Sequence, residues 1–339
     1  MDGQETSRGV AARERRLARA RRLIAARCGP EVARRLAASR PRPDCPAVPT
    51  GSLGLDLATG VGGYPRGHLT ELVGAESSGK TTLLYGALAA AQRAGGLVAL
   101  VDAEGSADPA ALAGCGVDLD ALLVVLPAGA CDAVLALAIL ARCGALDLLA
   151  LSSVAALRDL PYGRAAPVGL AAERPEAVAR LLARGLRVLA ASLVDGPTAV
   201  VATNALLPGA GYPSPGGRAL RHHAALRVLV DPLAPLPDGA GGWRGLRVAL
   251  AVVKSKVGRP GGRAEVDLLP GRGVDRPAEL LALGVTAGLV VDGPYGLAWG
   301  AEALGGDGRA ARRRLAADPA LADRLAAALL AASRPAAAA

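Results

Sequence analysis

The feature that most constrains the fold of this chain is a glycine-rich turn set between an apolar run and a helical stretch. The run Leu69-Thr-Glu-Leu-Val73 leads directly into Gly74-Ala-Glu-Ser-Ser-Gly-Lys-Thr81, where a helical stretch begins. This arrangement predicts a phosphate-binding loop, because its backbone N–H groups and the start of the helix point towards an anion. Lys80 then reaches the β and γ phosphates of a nucleotide, and the Thr81 hydroxyl can ligand Mg²⁺. The competing interpretation is a glycine-rich turn that precedes a helix by chance.

Apolar runs alternate with helical stretches over residues 50–270. The alternation predicts a parallel sheet covered by helices on both faces, because such strands are buried on both sides. The later runs follow one another without an intervening helix, so we expect that edge of the sheet to be antiparallel. The predicted strands are 68–73, 97–102, 121–126, 146–151, 198–203, 226–230, 247–253 and 264–269, and the predicted helices are 80–93, 131–142 and 174–193.

Two smaller segments flank this core. Residues 1–45 carry twelve arginines against five acids, a net charge of +7, and their helical composition is interrupted at Gly29-Pro30. The charge fits either a solvated helix face or an arm that docks on an acidic neighbour or on nucleic acid. We therefore expect a basic N-terminal helical arm at 1–45, a core at 46–271 and a small C-terminal domain at 272–334 with helical segments at 277–284 and 309–332.

An acidic side chain follows the second predicted strand. The run Leu97-Val-Ala-Leu-Val-Asp102 is followed by Ala103 and Glu104. A carboxylate there lies at the carboxyl end of a core strand, where open α/β sheets bind their ligands. Glu104 is therefore a candidate for the group that orients or activates a water molecule for attack on the γ-phosphate. The alternative is an acid that caps a helix or closes a turn.

Lysine is rare in this chain, since only three of the 39 basic residues are lysines and 36 (39 − 3) are arginines. An ammonium is a compact point charge that fits inside a phosphate cradle, whereas a guanidinium is a planar fork. Lys254 and Lys256 belong to Ala251-Val-Val-Lys-Ser-Lys-Val257, and the period of a strand places both ammoniums on one face. They are candidates for binding nucleotide phosphates, unless they are solvated lysines that protect an edge strand.

The remaining composition indicates the cellular setting. Five cysteines (28, 45, 115, 131 and 143) show no C-x-x-C spacing, which favours a reducing cytosol and argues against a metal site or a disulfide scaffold. The polar, charged start is unlike a signal peptide, and the apolar run 132–141 is too short to cross a bilayer. We therefore expect a cytoplasmic protein that does not associate with membranes. Because Phe is absent, its core must be aliphatic.

Several motifs follow one another along nearly the whole chain, after the basic N-terminal helix. They are Thr50-Gly-Ser-Leu-Gly-Leu-Asp56, Gly62-Gly-Tyr-Pro-Arg-Gly67, Gly74-Ala-Glu-Ser-Ser-Gly-Lys-Thr-Thr82, Asp102-Ala-Glu-Gly-Ser-Ala-Asp-Pro109, Ser153-Val-Ala-Ala-Leu157, Gly216-Gly-Arg-Ala-Leu220, Val253-Lys-Ser-Lys256 and Glu279-Leu-Leu-Ala-Leu-Gly-Val285. Together they resemble the bacterial RecA recombinase family. The phosphate loop with Asp102-Ala-Glu104 behind it is far more specific than a phosphate loop alone.

The resemblance implies an α/β fold with a RecA-type P-loop NTPase core and a mostly parallel sheet, an N-terminal helical arm and a small α+β C-terminal domain. It also implies a helical filament on single-stranded DNA, with ATP and Mg²⁺ held between neighbouring protomers. Glu104 matches the catalytic glutamate, Asp108 an adenine contact, and Lys254 and Lys256 the lysines that reach the neighbour's ATP. The implied nucleotide-binding residues are Gly74, Ala75, Glu76, Ser77, Ser78, Gly79, Lys80, Thr81, Thr82, Asp108, Lys254 and Lys256.

The same resemblance places DNA contacts in two loops. Residues 158–170 match the first DNA-binding loop and the glycine- and proline-rich segment 205–217 matches the second, while the C-terminal domain would help to gather duplex DNA. The candidate DNA-binding residues are Tyr212, Gly216, Gly217, Arg218 and Arg221. Aromatic stacking and arginine–phosphate contacts suit these residue types. The neighbouring His222 and His223 fit a polar helix face somewhat better than a ligand site.

Three positions depart from the family pattern. Ser152 stands where the family has an aspartate that supports Mg²⁺, and Ala205 stands where a glutamine senses the γ-phosphate. Ala111 stands where a tyrosine stacks on adenine. These changes affect hydrolysis and sensing, whereas the phosphate loop and the lysine pair are retained.

Two functions remain open on these grounds. One is a RecA-like, ATP-dependent single-stranded-DNA-binding protein of homologous recombination, DNA repair and the DNA-damage (SOS) response. The other is a hydrolysis-impaired accessory protein of damage-induced mutagenesis, which binds ATP and partners such as a RecA but does not catalyse strand exchange. Another ATPase with a RecA core, such as a replicative helicase, is disfavoured by the C-terminal match and by the Lys254-Ser-Lys256 strand.

Overall fold

The computed structural model describes residues 2–29, 45–158, 175–194, 196–207, 213–238 and 242–333, without the side chains of 2–12 and 175–177. The chain divides into two compact units, Met1–Asp44 and Cys45–Ala339. The first contains helix α1 (Asp2–Cys28), which ends just before the predicted break at Gly29. The predicted helical residues 30–38 lie outside the described residues, as do Tyr212 and residues 159–170 of the first predicted DNA loop.

The second unit is built on a large sheet. Ahead of it in the chain, β1 (Ala47–Val48) and β2 (Tyr64–Pro65) form a short antiparallel pair. Among the described residues, the strands of the large sheet are β3 (Leu69–Gly74), β4 (Val98–Asp102), β5 (Leu122–Val125), β6 (Leu148–Ser152), β7 (Ala199–Ala205), β8 (Leu226–Pro237), β9 (Trp243–Ser255), β10 (Arg263–Leu269) and β11 (Gly273–Val274).

This sheet is parallel through its middle and antiparallel at one edge. Its spatial order is β11-β10-β9-β8-β3-β7-β6-β4-β5. The strands from β8 to β5 are parallel, with Leu72 of β3 beside Thr203 of β7 and Val228 of β8, whereas β9, β10 and β11 are antiparallel. The predicted mixed sheet is confirmed, and each predicted apolar run overlaps one strand from β3 to β10. The carboxyl ends of the parallel strands therefore meet at one edge, where ligands bind in open α/β sheets.

Helices cover both faces of the sheet. The described helices of this region are α2 (Leu53–Thr59), α3 (Lys80–Arg93), α4 (Pro109–Gly114), α5 (Ala130–Arg142), α6 (Pro175–Leu193) and α7 (Gly217–His223), with a single 3-10 turn at Val154–Ala156. Leu88 of α3 shares one core with Leu100, while Leu137 of α5 and Leu186 of α6 share a second core with Val101. Leu100 and Val101 are consecutive in β4, so they serve opposite faces as the period of a strand requires. Among the described helices, none combines the length and apolarity of a membrane span.

A third core organises the C-terminal residues. Helix α8 (Arg276–Thr286) is followed by an antiparallel sheet of β12 (Val290–Gly293), β13 (Gly296–Trp299) and β14 (Glu302–Gly305), then by α9 (Gly308–Ala317) and α10 (Pro319–Ser333). Leu280, Leu304, Leu315 and Leu325 are buried together there. The expected single helical segment 309–332 is wrong, because Pro319 begins a second helix after Asp318. The division into domains at 45 and 271 stays a prediction.

A buried carboxylate joins α8 to α2. Glu279 of α8 is 5% exposed and accepts hydrogen bonds from Ser52 Oγ at 2.5 Å, Gly54 N at 2.9 Å and Leu53 N at 3.1 Å. These donors lie at the start of α2, whose first amides have no partner within the helix. Glu279 therefore accepts hydrogen bonds from the free amides at the start of α2, a helix that precedes it by more than two hundred residues.

Candidate nucleotide site

The predicted phosphate loop connects the end of β3 to the start of α3. Its backbone is left-handed at Ser77, with φ of 57°, and at Gly79, with φ of 93°. A Cβ on Gly79 would lie 2.3 Å from Leu268 Cδ1, and one on Gly74 would lie 2.4 Å from Val230 O, so both positions require glycine. The turn is therefore held against β8 and β10 in a conformation that side chains would obstruct.

The Lys80 ammonium lies within this turn. Its Nζ donates hydrogen bonds to Gly74 O at 3.0 Å, Ala75 O at 2.5 Å and Ser78 Oγ at 3.4 Å. Burial lowers the pKa of this ammonium, and the charges of Glu104 and Glu76 partly offset that effect. A cation that is half-buried among carbonyl oxygens is positioned to bind an anion at the same place.

The other residues of the loop divide by exposure. Residues 75–77 form an exposed tip, while Ser78 is buried beneath it. Thr81 is exposed and Thr82 is half-buried in the first turn of α3. The chemistry fits a nucleotide phosphate, because a glycine cradle, an ammonium and two hydroxyl groups surround one helix N-terminus. In the described parts of the chain there is no group of three or more His, Cys, Asp or Glu side chains that could hold a metal ion, so the Thr81 hydroxyl remains the candidate protein ligand for Mg²⁺.

A buried aspartate shapes the turn that carries Glu104. Asp102 ends β4 and is 3% exposed, and its carboxylate accepts hydrogen bonds from the amides of Glu104 at 3.2 Å, Gly105 at 3.0 Å and Ala107 at 2.8 Å. Glu104 itself is exposed and accepts a hydrogen bond from Ser106 Oγ at 3.2 Å. Asp102 thus closes the turn, and the carboxylate of Glu104 faces solvent.

Asp108 occupies the first cap of α4. Its Oδ1 accepts a hydrogen bond from Ala110 N at 2.8 Å, as an N-cap residue does. This hydrogen bond accounts for an aspartate at this position without any bound ligand. Asp108 is exposed, and the predicted adenine contact stays a prediction.

The lysine pair of β9 reaches the carboxyl end of α7. Lys254 Nζ donates hydrogen bonds to Ala224 O at 2.6 Å and to Arg221 O, and Lys256 Nζ donates one to His222 O at 2.5 Å. Both ammoniums therefore lie on one side of the strand, as predicted. Carbonyl groups at a helix C-terminus carry partial negative charge and attract cations. The registered pairing of β10 with β9 ends at Ala251, so Lys254 is paired on the β8 side alone. Lys254 is half-buried and Lys256, just after β9, is exposed, so the alternative of solvated edge lysines stays open for Lys256.

The candidate DNA residues that the structure describes surround the start of α7. Gly216 and Gly217 have φ of 82° and 61°, a conformation that favours glycine. Arg218 is exposed and Arg221 is half-buried. A cleft of about 850 Å³ lies beside them, and its lining includes Glu104, Arg158 and Gly216. It brings together the candidate catalytic acid and the described ends of both predicted DNA loops, whereas the phosphate loop is not among its described lining residues.

Sequence reasoning missed a buried polar cluster behind this cleft. Glu71 of β3 is fully buried and accepts hydrogen bonds from Asn204 Nδ2 at 2.8 Å, Ser214 Oγ at 2.7 Å and Arg227 Nε at 2.5 Å. The signal was present, because Glu71 and Arg227 are charged residues inside two apolar runs that both read as core strands. Buried charges of opposite sign indicate a pair.

Comparison with known proteins identifies the family. A family model described as the RecA N-terminal domain matches residues 15–275. Protein RecA from a Nocardioides species is 40% identical over 285 residues, which cover 82% of this chain and 80% of that protein. The chain belongs to the RecA family. Protein RecA from Chlorobium chlorochromatii is 38% identical over 81% of the chain and 78% of its own length, and that from Streptomyces avermitilis is 39% identical over 84% and 76%.

Ser152 is the predicted departure from the family pattern that bears most directly on metal binding. Ser152 ends β6 and lies directly beside Asp102 of β4. Both Asp102 oxygens are already engaged by turn amides. Asp147 precedes the other end of β6, about 16 Å away along the strand, and is paired there with Arg66 at 2.6 Å. Asp147 is therefore too distant to replace a carboxylate at position 152, whereas Asp102 lies beside that position and closes its own turn.

The two other departures from the RecA-family pattern are both alanines. Ala205 pairs with Gly74 in the sheet register, so it lies directly beside the start of the phosphate loop. Its methyl group offers no hydrogen bond to a phosphate. Ala111 of α4 is half-buried and packs against the core beside α3. It offers no aromatic face on which a base could stack.

Proposed function

We propose that this chain is an ATP-dependent, single-stranded-DNA-binding protein of homologous recombination, DNA repair and the DNA-damage (SOS) response, acting in the cytoplasm as a homo-oligomeric filament. Membership of the RecA family supports the broad assignment. The observation that supports its nucleotide-hydrolysis part is geometric: Lys80, in its glycine cradle after β3, and Glu104, in the turn after β4, follow the carboxyl ends of two parallel strands of one sheet.

Different residues of the chain bind the nucleotide and promote its hydrolysis. The amides of the phosphate loop and the Lys80 ammonium hold the β and γ phosphates. Glu104 orients a water molecule towards the γ-phosphate and accepts its proton, since its carboxylate is exposed and is not engaged as a helix cap. Bound Mg²⁺, with the Thr81 hydroxyl as a ligand, supplies positive charge that stabilises the transferred phosphoryl group.

Assembly completes the proposed site. Lys254 and Lys256 reach the nucleotide of a neighbouring protomer, and the basic helix α1 docks on the next protomer. Leu17, Leu23 and Ile24 of α1 are 51%, 59% and 41% exposed, which supports a helix that is covered by a partner. Single-stranded DNA binds at the start of α7, through Gly216, Gly217 and the arginines Arg218 and Arg221, and duplex DNA is gathered by the C-terminal residues.

The test is ATP turnover by the purified protein with and without single-stranded DNA. We expect DNA to stimulate turnover, Glu104→Gln to abolish turnover with nucleotide affinity retained, and Lys80→Ala to abolish nucleotide binding. Retention of most turnover in Glu104→Gln would contradict the assignment of Glu104. Failure of single-stranded DNA to bind or to stimulate would contradict the recombination assignment.

A second candidate is a RecA-like accessory protein of damage-induced mutagenesis, in which ATP holds protomers or a RecA partner together and strand exchange is absent. It is favoured by the lack of a carboxylate at Ser152, since Asp147 is paired with Arg66 at the other end of β6 and Asp102 accepts hydrogen bonds from the amides of its own turn. Tight ATP binding that is lost in Lys80→Ala, combined with no turnover in the presence of DNA, would establish this candidate over the first.

A further inference from the structure

A β-bulge lies in β9 just before Lys254. In the pairing of β8 with β9, Val228 stands opposite Val252 and Arg227 stands opposite Lys254, so Val253 is an extra residue between the two pairs. Residues that stand opposite each other in a sheet share a face, and a bulge re-aims the side chain beside it. The bulge therefore puts Lys254 on the face of the sheet that Arg227 occupies.

That face is the one covered by α7. Val252 belongs to the core that contains α3, whereas Leu220 of α7 belongs to the core on the other face. Because Val252 and Lys254 are two residues apart, an unbroken strand would carry both on the face of α3. The extra residue Val253 turns Lys254 to the opposite face, where its ammonium reaches the end of α7.

Three charged side chains form a row across neighbouring strands on this face. Glu71 of β3 stands opposite Arg227 of β8, and Arg227 stands opposite Lys254 of β9. Arg227 Nε donates a hydrogen bond to Glu71 Oε2 at 2.5 Å, and the two side chains are 6% and 0% exposed. A buried carboxylate is retained only where a cation and hydrogen-bond donors compensate it. Arg227 therefore lies between a buried carboxylate and the Lys254 ammonium.

The Lys254 ammonium is directed away from this carboxylate and towards the end of α7. It donates hydrogen bonds to Ala224 O at 2.6 Å and to His222 O at 3.3 Å. These acceptors are neutral carbonyl oxygens, which bind an ammonium more weakly than a carboxylate or a phosphate does. The ammonium is therefore available to a phosphate that approaches this end of the helix.

Arg227 keeps the carboxylate and the ammonium apart. Glu71 and Lys254 are two strands apart, about 10 Å between their backbones, which a glutamate and a lysine side chain can bridge together. Without a cation between them, the buried carboxylate needs another, and Lys254 is the next cation in the row. A lysine that pairs with Glu71 no longer points at the end of α7.

We propose that Arg227 is a positioning residue: by compensating Glu71, it keeps the Lys254 ammonium at the end of α7, where the ammonium can bind the phosphates of a neighbouring protomer's nucleotide. This inference rests on the proposed role of Lys254 in assembly. The bulge at Val253 selects the face of the sheet, and Arg227 selects the acceptor. Arg227 is 5% exposed and acts through Lys254 rather than through a contact with the nucleotide.

The test compares Arg227→Met with the double variant Glu71→Gln, Arg227→Met. Sedimentation measures assembly with a non-hydrolysable ATP analogue at pH 7, beside the affinity for that analogue and the melting temperature. Arg227→Met should bind the analogue through its own phosphate loop and yet need about tenfold more protein to assemble, the effect of one lost charge-assisted hydrogen bond. The double variant also lacks the carboxylate that captures Lys254, so it should assemble as the wild type does.

The lysine signals report the position of the ammonium directly, because the chain has three lysines. With ¹³C-labelled lysine, the ε-carbon of Lys254 is assigned from its absence in Lys254→Ala and should titrate at about pH 8 in the wild type, since burial lowers the pKa and the charges of Lys256 and Arg227 lower it further. In Arg227→Met the pKa should rise, because Glu71 then pairs with the ammonium. It should return towards the wild-type value in the double variant.

Two further variants make the result specific. Arg227→Lys keeps a cation beside Glu71 and should assemble as the wild type does. Arg247→Met removes an arginine of the same strand that pairs with Asp267 of β10 at 2.7 Å, in a row that holds no lysine, and should leave assembly unchanged.

Wild-type assembly or an unshifted Lys254 titration in Arg227→Met overturns the role of Arg227, as does a double variant that binds the analogue but assembles no better than Arg227→Met. If Arg227→Met does not bind the analogue, Arg227→Lys decides: wild-type assembly supports the role, and binding without assembly overturns it. A wild type that binds the analogue without assembling contradicts the proposed function, and the lysine titration then still tests whether Arg227 positions Lys254.

Discussion

Each of the three lysines donates hydrogen bonds to main-chain carbonyl oxygens. Lys80 contacts the phosphate loop, and Lys254 and Lys256 contact the end of α7. A compact ammonium can enter such a cluster of carbonyls and leave it again for a phosphate, whereas a guanidinium is held by its planar geometry. The three lysines of this arginine-rich chain therefore all stand at positions where an ammonium is bound by main-chain carbonyl oxygens.

Lys254 gives a prediction on pH. Burial lowers the pKa of this ammonium to about 8, and the charges of Lys256 and Arg227 add to the effect while Glu71 opposes it. The protonated form predominates below pH 8 and is lost above it, so nucleotide-driven assembly should be constant up to pH 8 and weaken by about tenfold per further pH unit. Sedimentation with an ATP analogue at several pH values measures this. Lys254→Ala should assemble less well at every pH and show no further decline above pH 8, and an identical decline in that variant would contradict the assignment.

Ser152 gives a prediction on catalysis. Ser152→Asp places a carboxylate beside Asp102, and ATP turnover at limiting Mg²⁺ should rise by about tenfold or more. Because position 152 is 3% exposed, the same variant should melt at a lower temperature without Mg²⁺ and recover when Mg²⁺ and nucleotide are added. Ser152→Asn, which has similar volume and no charge, should show neither effect. Unchanged turnover in the aspartate variant would contradict a role for position 152 in Mg²⁺-dependent hydrolysis.

At the scale of elements, the sequence predicts those helices and strands whose own residues show a clear hydrophobic pattern. The core strands are predictable because buried parallel strands are continuously apolar. The helix 80–93 is predictable because it follows a phosphate loop and has helical composition. The strands β12 to β14 have four residues each and were not predicted, because so short a run has no measurable period. The alanine- and leucine-rich composition of 309–332 predicts one continuous helix, but Pro319 cannot continue the helix before it and marks the break between α9 and α10.

The candidate site also divides into a part that is contiguous in sequence and a part that forms only on folding. The phosphate loop is one contiguous segment, so the sequence located it to the residue. The buried polar cluster consists of Glu71, Asn204, Ser214 and Arg227, which come from separate parts of the chain and meet only when it folds. The pairing of Asp147 with Arg66 is likewise visible only in the folded chain, because 81 residues (147 − 66) separate the two in sequence. The partners of Asp102, by contrast, lie within five residues of it.

The contact between α8 and α2 gives a prediction on stability. Glu279→Ala leaves Ser52 Oγ, Leu53 N and Gly54 N without their buried acceptor, which should lower the free energy of unfolding by about 3 kcal/mol. Glu279→Gln keeps one acceptor oxygen and should cost about 1 kcal/mol. Urea unfolding measures both. Equal stability of the alanine variant and the wild type would show that water satisfies these donors.

At the scale of the whole molecule, charge is concentrated in one part. Residues 1–45 contribute +7 of the total +9, so the remainder of the chain carries only +2 (9 − 7). Long-range attraction to nucleic acid or to an acidic neighbour therefore acts mainly on the arm. Binding by the remainder depends on local groups such as Arg218 and Arg221.

The proposed assembly of protomers gives a prediction about Lys254 and Lys256. The double variant Lys254→Ala, Lys256→Ala should bind an ATP analogue through its intact phosphate loop and yet remain a single protomer, because the neighbour's phosphates lose their cations. The wild type should form large assemblies with the analogue and single-stranded DNA, visible by electron microscopy and sedimentation. Arg259→Ala, which removes an exposed basic side chain in the turn after β9, should assemble normally. Assembly of the double variant to the wild-type extent would show that the lysines do not bridge protomers.

The contact of Glu279 with the start of α2 also determines where this protein can be cut. A fragment that stops at Asp275, where the family match ends, would lose the acceptor for three amide and hydroxyl donors and uncover Leu53. Such a fragment contains every candidate nucleotide-binding residue and still lacks part of its own scaffold. Expression of the nucleotide-binding region for separate study therefore requires α8, and with it the core that α8 shares with α9 and α10.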